Sequence, residues 1–147
     1  MTKVDFFIWP MCNKLQHDVT VCHLIQSVLR AEKTISVLLD GADECRRFNS
    51  LLWTFEDTSF LPHGIEDEDC PVKLTINFDK CGEDTLVNLG KSYPISPKRF
   101  RRIIETAGHD ELTRTNARKK FGAYKDLAIE VNYHKVDNVN AIAHVSL

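Results

Sequence analysis

Apolar positions along this chain alternate between two spacings. Val4 to Trp9 (VDFFIW) is a nearly unbroken apolar run stopped by Pro10, the pattern of a strand buried on both faces. Over residues 17 to 30, Val21, Cys22, Ile25, Val28 and Leu29 fall on one helical stripe. Thr34 to Asp40 (TISVLLD) returns to β-branched and aliphatic residues ended by Gly41, and Cys45, Phe48, Leu52 and Phe55 then mark a second helix from about Ala42 to Phe55. Val72 to Phe78 and Thr85 to Leu89 predict two further strands around the polar loop 79 to 84. Ser96 before Pro97 reads as a helix start, so a helix is predicted through about Thr106, broken at Gly108. A last helix over about 110 to 126 precedes an extended apolar segment, Leu127 to Tyr133.

Strand, helix, strand, helix with short links is the signature of a parallel sheet built from crossovers. The predicted class is α/β: one domain over residues 1 to 147, an open, mostly parallel sheet flanked by helices. The outline is Rossmann-like, but residues 9 to 16 read WPMCNKLQ, without the glycines that let a backbone approach a pyrophosphate. Patterning fades over the last ten residues, so a loose tail is expected from about residue 137.

At 147 residues, 43% hydrophobic and 27% charged, the chain matches an ordinary globular domain with one core. The Val4 to Trp9 run is too short for a signal-peptide core or a membrane span, so a cytoplasmic protein with no membrane partner is expected. Five cysteines with no Cys-x-x-Cys pair argue against a disulfide framework and a zinc ribbon, leaving reduced thiols.

The run Leu51 to His63 (LLWTFEDTSFLPH) carries more aromatic side chains than a turn requires. A helix end, an acidic turn and an extended piece stopped by Pro62 would bring Trp53, Phe60 and Pro62 to one edge, where they either anchor a partner or close the core. Charge is also uneven. Residues 98 to 125 hold nine Lys or Arg against three acids, a net of +6, so the remainder carries −8 within a total of −2. Six of those acids lie between Glu56 and Asp69. A basic face and an acidic face are expected, and with them two partners.

Candidate chemistry is sparse. No Gly-x-Ser-x-Gly elbow or Walker loop is present. Cys12 near His17 and His23 offers a Cys–His pair, against the simpler reading of an incidental thiol. Glu66 to Asp69 beside His63 offers oxygen ligands, but consecutive loop residues seldom converge, and a solvated acidic loop is the better reading. No catalytic residue, cofactor or metal is assigned. On the 110 to 126 helix, Arg114, Arg118, Phe121 or Gly122, and Lys125 share one stripe. With Leu112, Ala123 and Tyr124 supplying burial, Phe121 would line a shallow pocket rimmed by cations, suited to an acidic peptide with a hydrophobic end. Single-stranded nucleic acid is the rival ligand, disfavoured by the acidic remainder, and a solvated basic face with no partner is the bland one.

The ordered segments VDFFIW, LLWTF, SFLPHG, PVKLTINF, DTLVNLG, RFRRIIE and NARKKFGAYK together resemble the chi subunits of bacterial DNA polymerase III, clamp-loader accessory proteins. The resemblance implies a non-catalytic subunit of the replicative holoenzyme without a cofactor. It implies three partners: the psi subunit, the acidic C-terminal tail of single-stranded DNA-binding protein, and for some members an iron–sulfur helicase. Nucleic acid would be engaged only indirectly. By this resemblance Arg114, Arg118, Phe121 and Lys125 would hold the tail. Gly122 stands where a Lys or Arg is common, and Lys119, Lys120 or Lys125 would replace that charge. Trp53, Phe55, Phe60, Leu61 and Pro62 would meet psi or the helicase. The alternatives are a nucleotide-binding domain or small enzyme on a Rossmann-like fold, and a direct single-stranded DNA binder.

Overall fold

A computed structural model describes residues 1–10, 12–56, 61–94, 96–107 and 110–136. Seven strands, β1 (Lys3–Ile8), β2 (Ile35–Leu38), β3 (His63–Ile65), β4 (Val72–Thr75), β5 (Thr85–Asn88), β6 (Arg102–Ala107) and β7 (Glu130–Lys135), form one sheet. Its order is β3-β4-β2-β5-β6-β1-β7, and every pairing is parallel. Three helices connect it: α1 (Lys14–Ala31), α2 (Ala42–Thr54) and α3 (Glu111–Asp126). The expected α/β sheet is therefore observed, parallel throughout. Among the described residues no helix is long and apolar enough to cross a membrane.

Side-chain alternation divides the core into two layers. Phe7, Val37, Leu74 and Ile104 face α1 and α2, joining Val21, Ile25, Phe48 and Leu52 in one cluster. Val4, Phe6, Leu86 and Ile103 face the other way and pack with Ala117 and Tyr124 of α3. Buried charges pin the layers. Arg102 meets Asp5 at 3.0 Å and Glu32, at the end of α1, at 3.2 Å. On the α3 side the fully buried Glu105 accepts from Lys120 (2.9 Å), Tyr124 (2.5 Å) and Asn88 (2.9 Å).

Two sequence expectations need correction. The predicted helix through Thr106 is a single 3-10 turn, Pro97–Arg99, followed by β6. Pro97 does start a turn. Ile103 and Ile104, however, are both fully buried on opposite faces of the sheet, a demand that a central strand meets and an amphipathic helix does not. β3 was not anticipated. It runs parallel to its neighbour β4 although only residues 66 to 71 separate them, far fewer than the dozen or so of a usual crossover. The acidic loop makes this short return. Glu66 takes φ 50° and accepts from Thr75 at 2.8 Å, Asp67 accepts from the Asp69 amide at 3.0 Å, and Glu68 binds Lys73 at 2.9 Å. A Cβ on Gly64 would lie 2.9 Å from that of Asp67, so the return needs glycine there. The tail expected from residue 137 lies outside the described residues.

Candidate protein-binding faces

Helix α3 begins with a reciprocal cap: Asp110 accepts from the Thr113 amide at 2.8 Å, and the Thr113 hydroxyl accepts from the Asp110 amide at 3.3 Å. From there the predicted stripe divides. Arg114 turns inward, half-buried, donating to the Trp9 carbonyl at 2.9 Å, while its Nε is enclosed with no acceptor among the described residues. Arg118 is exposed and, among the described residues, reaches only the Thr115 hydroxyl of its own helix, at 3.3 Å. The Phe121 ring is half-buried, 5.7 Å from Phe6, and Lys125 stands 5.6 Å from its centroid. Arg118, Phe121 and Lys125 thus form a continuous surface, with Gly122 open beside them and nothing within 4 Å of where its Cβ would be.

Other cations of this region are not part of that surface. Lys120, expected as a replacement charge, is buried against Glu105 and donates to the Gly90 carbonyl at 2.6 Å. Arg101 and Arg102 are paired to acids, and Arg99 lies over the Phe78 and Phe100 rings at 4.8 and 5.3 Å. The +6 of the linear count therefore overstates the face, which is built from Arg118, Lys119 and Lys125. Leu112, expected to share the burial beneath it, is 62% exposed; Tyr124 and the half-buried Ala123 take that role.

The aromatic edge forms where α2 ends against β3. Trp53 is 52% exposed, its ring 4.4 Å from that of buried His63, whose nitrogens lie 2.6 Å from the Leu61 carbonyl and 3.0 Å from the Asn49 carbonyl. Phe55 is half-buried and edge-on to His23 at 5.0 Å, and Pro62 is half-buried. Leu61 is only 4% exposed and belongs to the core, supporting this edge from within. Phe60 lies outside the described residues. Ile65, which the sequence did not single out, adds an exposed aliphatic side chain at the β3 edge.

The C-terminal ends of β2, β5 and β6 open into a crevice of about 470 Å³, the place where such a sheet would seat a nucleotide. Three of its cations are committed to the chain's own acids: Lys14 to Glu44 at 3.5 Å, Arg47 to Asp18 at 2.6 Å, and Lys120 to Glu105, while Lys91 lines it without an ion pair among the described residues. A phosphate would compete with the chain's own acids for every one of these cations but Lys91. Burial pushes the Cys12 thiol up, outweighing the opposing influence of Arg114, the reverse of what activates a nucleophile. His17 accepts from the Trp9 indole at 3.1 Å. No group of three or more His, Cys, Asp or Glu is arranged to hold a metal ion among the described residues.

Comparison with known proteins converges on one family. The family model described as "DNA polymerase III chi subunit, HolC" matches residues 1–132. The chain is 26% identical over 144 residues to DNA polymerase III subunit chi of Pseudomonas aeruginosa, covering 95% of this chain and all of that one. It is 24% identical over 132 residues to the protein of the same name in Haemophilus influenzae, covering 86% and 90%.

Proposed function

The chain belongs to the DNA polymerase III chi subunit family, and on that premise we propose that it is a non-catalytic cytoplasmic adaptor bridging psi, at the aromatic edge, to the C-terminal tail of single-stranded DNA-binding protein, at the α3 stripe. One observation carries this reading: the exposed Trp53 of α2 and the Arg118, Phe121 and Lys125 surface of α3 belong to helices packed on opposite faces of the sheet. Two partners so placed can be held at once. Tethering then raises the local concentration of each for the other, so modest contacts give a stable assembly on coated DNA. A helicase using the aromatic edge would compete with psi.

The chemistry of α3 favours an acidic peptide with an aromatic end. Phe121 offers a ring backed by Phe6, and Arg118 and Lys125 offer cations able to pair with carboxylates. The test is calorimetric titration with a short acidic peptide ending in Asp-Ile-Pro-Phe, beside the same peptide lacking the Phe. Binding is expected to need the Phe and to fade with salt. Arg118→Glu should weaken it by roughly 1.5–3 kcal/mol, the range for a hydrogen bond to a charged group. Unchanged affinity in that variant places the peptide elsewhere. Trp53→Ala should impair capture of psi and leave the titration unaltered; retention of psi in pull-downs defeats the edge assignment.

A further inference from the structure

Among the described residues, the last strand of the sheet has no partner on one side. There β7 is bonded to β1 alone, in register from Lys3 with Glu130 to Ile8 with Lys135. The Val136 amide donates to the Ile8 carbonyl at 2.8 Å. Backbone groups alternate sides along a strand, so Glu130, Asn132 and His134 also direct theirs to β1, while Val131, Tyr133 and Lys135 direct N–H and C=O outward. Edge strands are commonly shielded by proline, a bulge, shortness or charged side chains, and here charge stands at the two ends, Glu130 and Lys135. This one is six residues long, without proline, and pairs residue for residue with β1.

We infer that this edge takes a second copy of the same chain, in an antiparallel pairing about a two-fold axis at Asn132. Two-fold symmetry normal to the sheet requires opposed residues to share a face, and the outward bonding groups then allow a centre at Asn132 or at Tyr133. Side-chain chemistry decides between them. Centred at Asn132, Glu130 faces His134 of the second copy, Val131 faces its Tyr133 and exchanges both backbone bonds with it, and Asn132 meets its own equivalent. Each is a favourable cross-strand pair, and symmetry makes the first two twice. Centred at Tyr133, Val131 would face Lys135 and Glu130 would face the apolar Val136.

His134 is prepared for an incoming carboxylate. Its Nε2 is 3.1 Å from buried Asp5 and its ring stacks on Phe7 at 4.9 Å, so Nδ1 is left for Glu130 of the second copy, a contact made by the imidazolium form, which carries an N–H on both nitrogens. Beside it on the same face lies an open polar hollow of about 390 Å³, lined among others by Lys3, Asn132 and the Asp5–Arg102 pair, with room for that side chain beside Lys3. Glu130, Asn132 and Tyr133 are all exposed, Tyr133 by 61%. A single strand pair buries little surface, so the dimer is a weak one, populated at high concentration or where other contacts gather copies.

Cross-linking reads the register directly. In a Cys12→Ser/Cys70→Ser background, Asn132→Cys sits opposite itself at a non-hydrogen-bonded position, where Cα atoms are about 4.5 Å apart, within disulfide reach. Mild oxidation of the concentrated protein should link Asn132→Cys at least tenfold faster than Tyr133→Cys. Sedimentation equilibrium of the unmodified chain should show mass rising towards twice the monomer. Tyr133→Pro, which deletes an outward amide and no bond to β1, should return it to monomer, as should Glu130→Lys. A monomer at every concentration, faster linking at Tyr133, or a dimer indifferent to both variants overturns the inference.

Discussion

Replacing Lys120 with Met tests whether the buried ion pair under α3 is organised as described. Glu105 is fully buried and Lys120 is 6% exposed, with Nζ 2.9 Å from the carboxylate. Removing the ammonium leaves the carboxylate with two neutral donors, Tyr124 and Asn88. Breaking one side of a buried pair costs about 3–5 kcal/mol, a large part of a domain's stability but not all of it. The cost should depend on pH, with a definite sign. Burial already pushes the Glu105 carboxyl above the usual carboxylate range, and Lys120 is the largest influence opposing it. Without Lys120 the folded-state value rises further. A group bound more tightly to its proton in the folded state stabilises below its unfolded value and loses that contribution as pH rises through the folded one, by at most about 1.4 kcal/mol per pH unit. The penalty of Lys120→Met relative to the parent should therefore be smallest near pH 5 and largest near pH 8. Urea unfolding across that range, compared through the midpoint at constant m, measures it. Glu105→Gln/Lys120→Met keeps an acceptor for Tyr124 and Asn88 while removing both charges, and should recover most of the loss with little pH dependence. A single-variant penalty below about 1 kcal/mol, or one equal at pH 5 and pH 8, would refute the reasoning.

Gly122→Arg should raise stability by about 1 kcal/mol, because glycine is that much poorer than a good helix former and its Cβ direction is open; a lowered melting temperature would contradict this. The same variant should tighten the acidic peptide by about 0.5–1 kcal/mol, read by calorimetry. Trp53→Ala should change stability by less than about 1 kcal/mol, whereas Leu61→Ala, which empties a core position, should cost about 2–5 kcal/mol; equal costs would make Trp53 a core residue. At pH 8 a thiol reagent should label Cys12 and Cys70 before the other three, which should react only after unfolding, since Cys22, Cys45 and Cys81 are buried out of its reach while Cys12 and Cys70 are partly exposed. Prompt reaction of a third thiol would sink that expectation.

Periodicity located β1, α1, β2, α2, β4, β5 and α3 because each of those segments carries its own burial pattern. β6 escaped because its identity depends on distant partners. Arg102 is a buried strand residue only when Asp5, ninety-seven positions away, supplies its counter-charge. Lys120 was misplaced for the same reason: nothing near it in sequence announces Glu105. The exposure of Trp53 was legible, since its helix stripe leaves it off the buried positions. Leu61 was not separable from it by composition, because an aliphatic residue beside an aromatic run reads alike whether it faces solvent or core. β3 is too short for any period to register, and the acids of its return loop look like solvated charge until their hydrogen bonds are drawn.

β1 lies between β6 and β7, so a strand near residue 3 has no neighbour in the sheet until residues 102–107 and 130–135 have been synthesised. Order of manufacture and order of pairing are opposed. On the ribosome, the VDFFIW segment waits about a hundred residues for its first neighbouring strand, a natural client for a chaperone that holds nascent apolar segments. A chain cut before residue 102 leaves β1 unmatched and takes Ile104 from one core layer and Ile103 from the other. Folding of this sheet therefore depends on contacts of high sequence separation, residues 3–8 closing onto 102–107 and 130–135, which slows it.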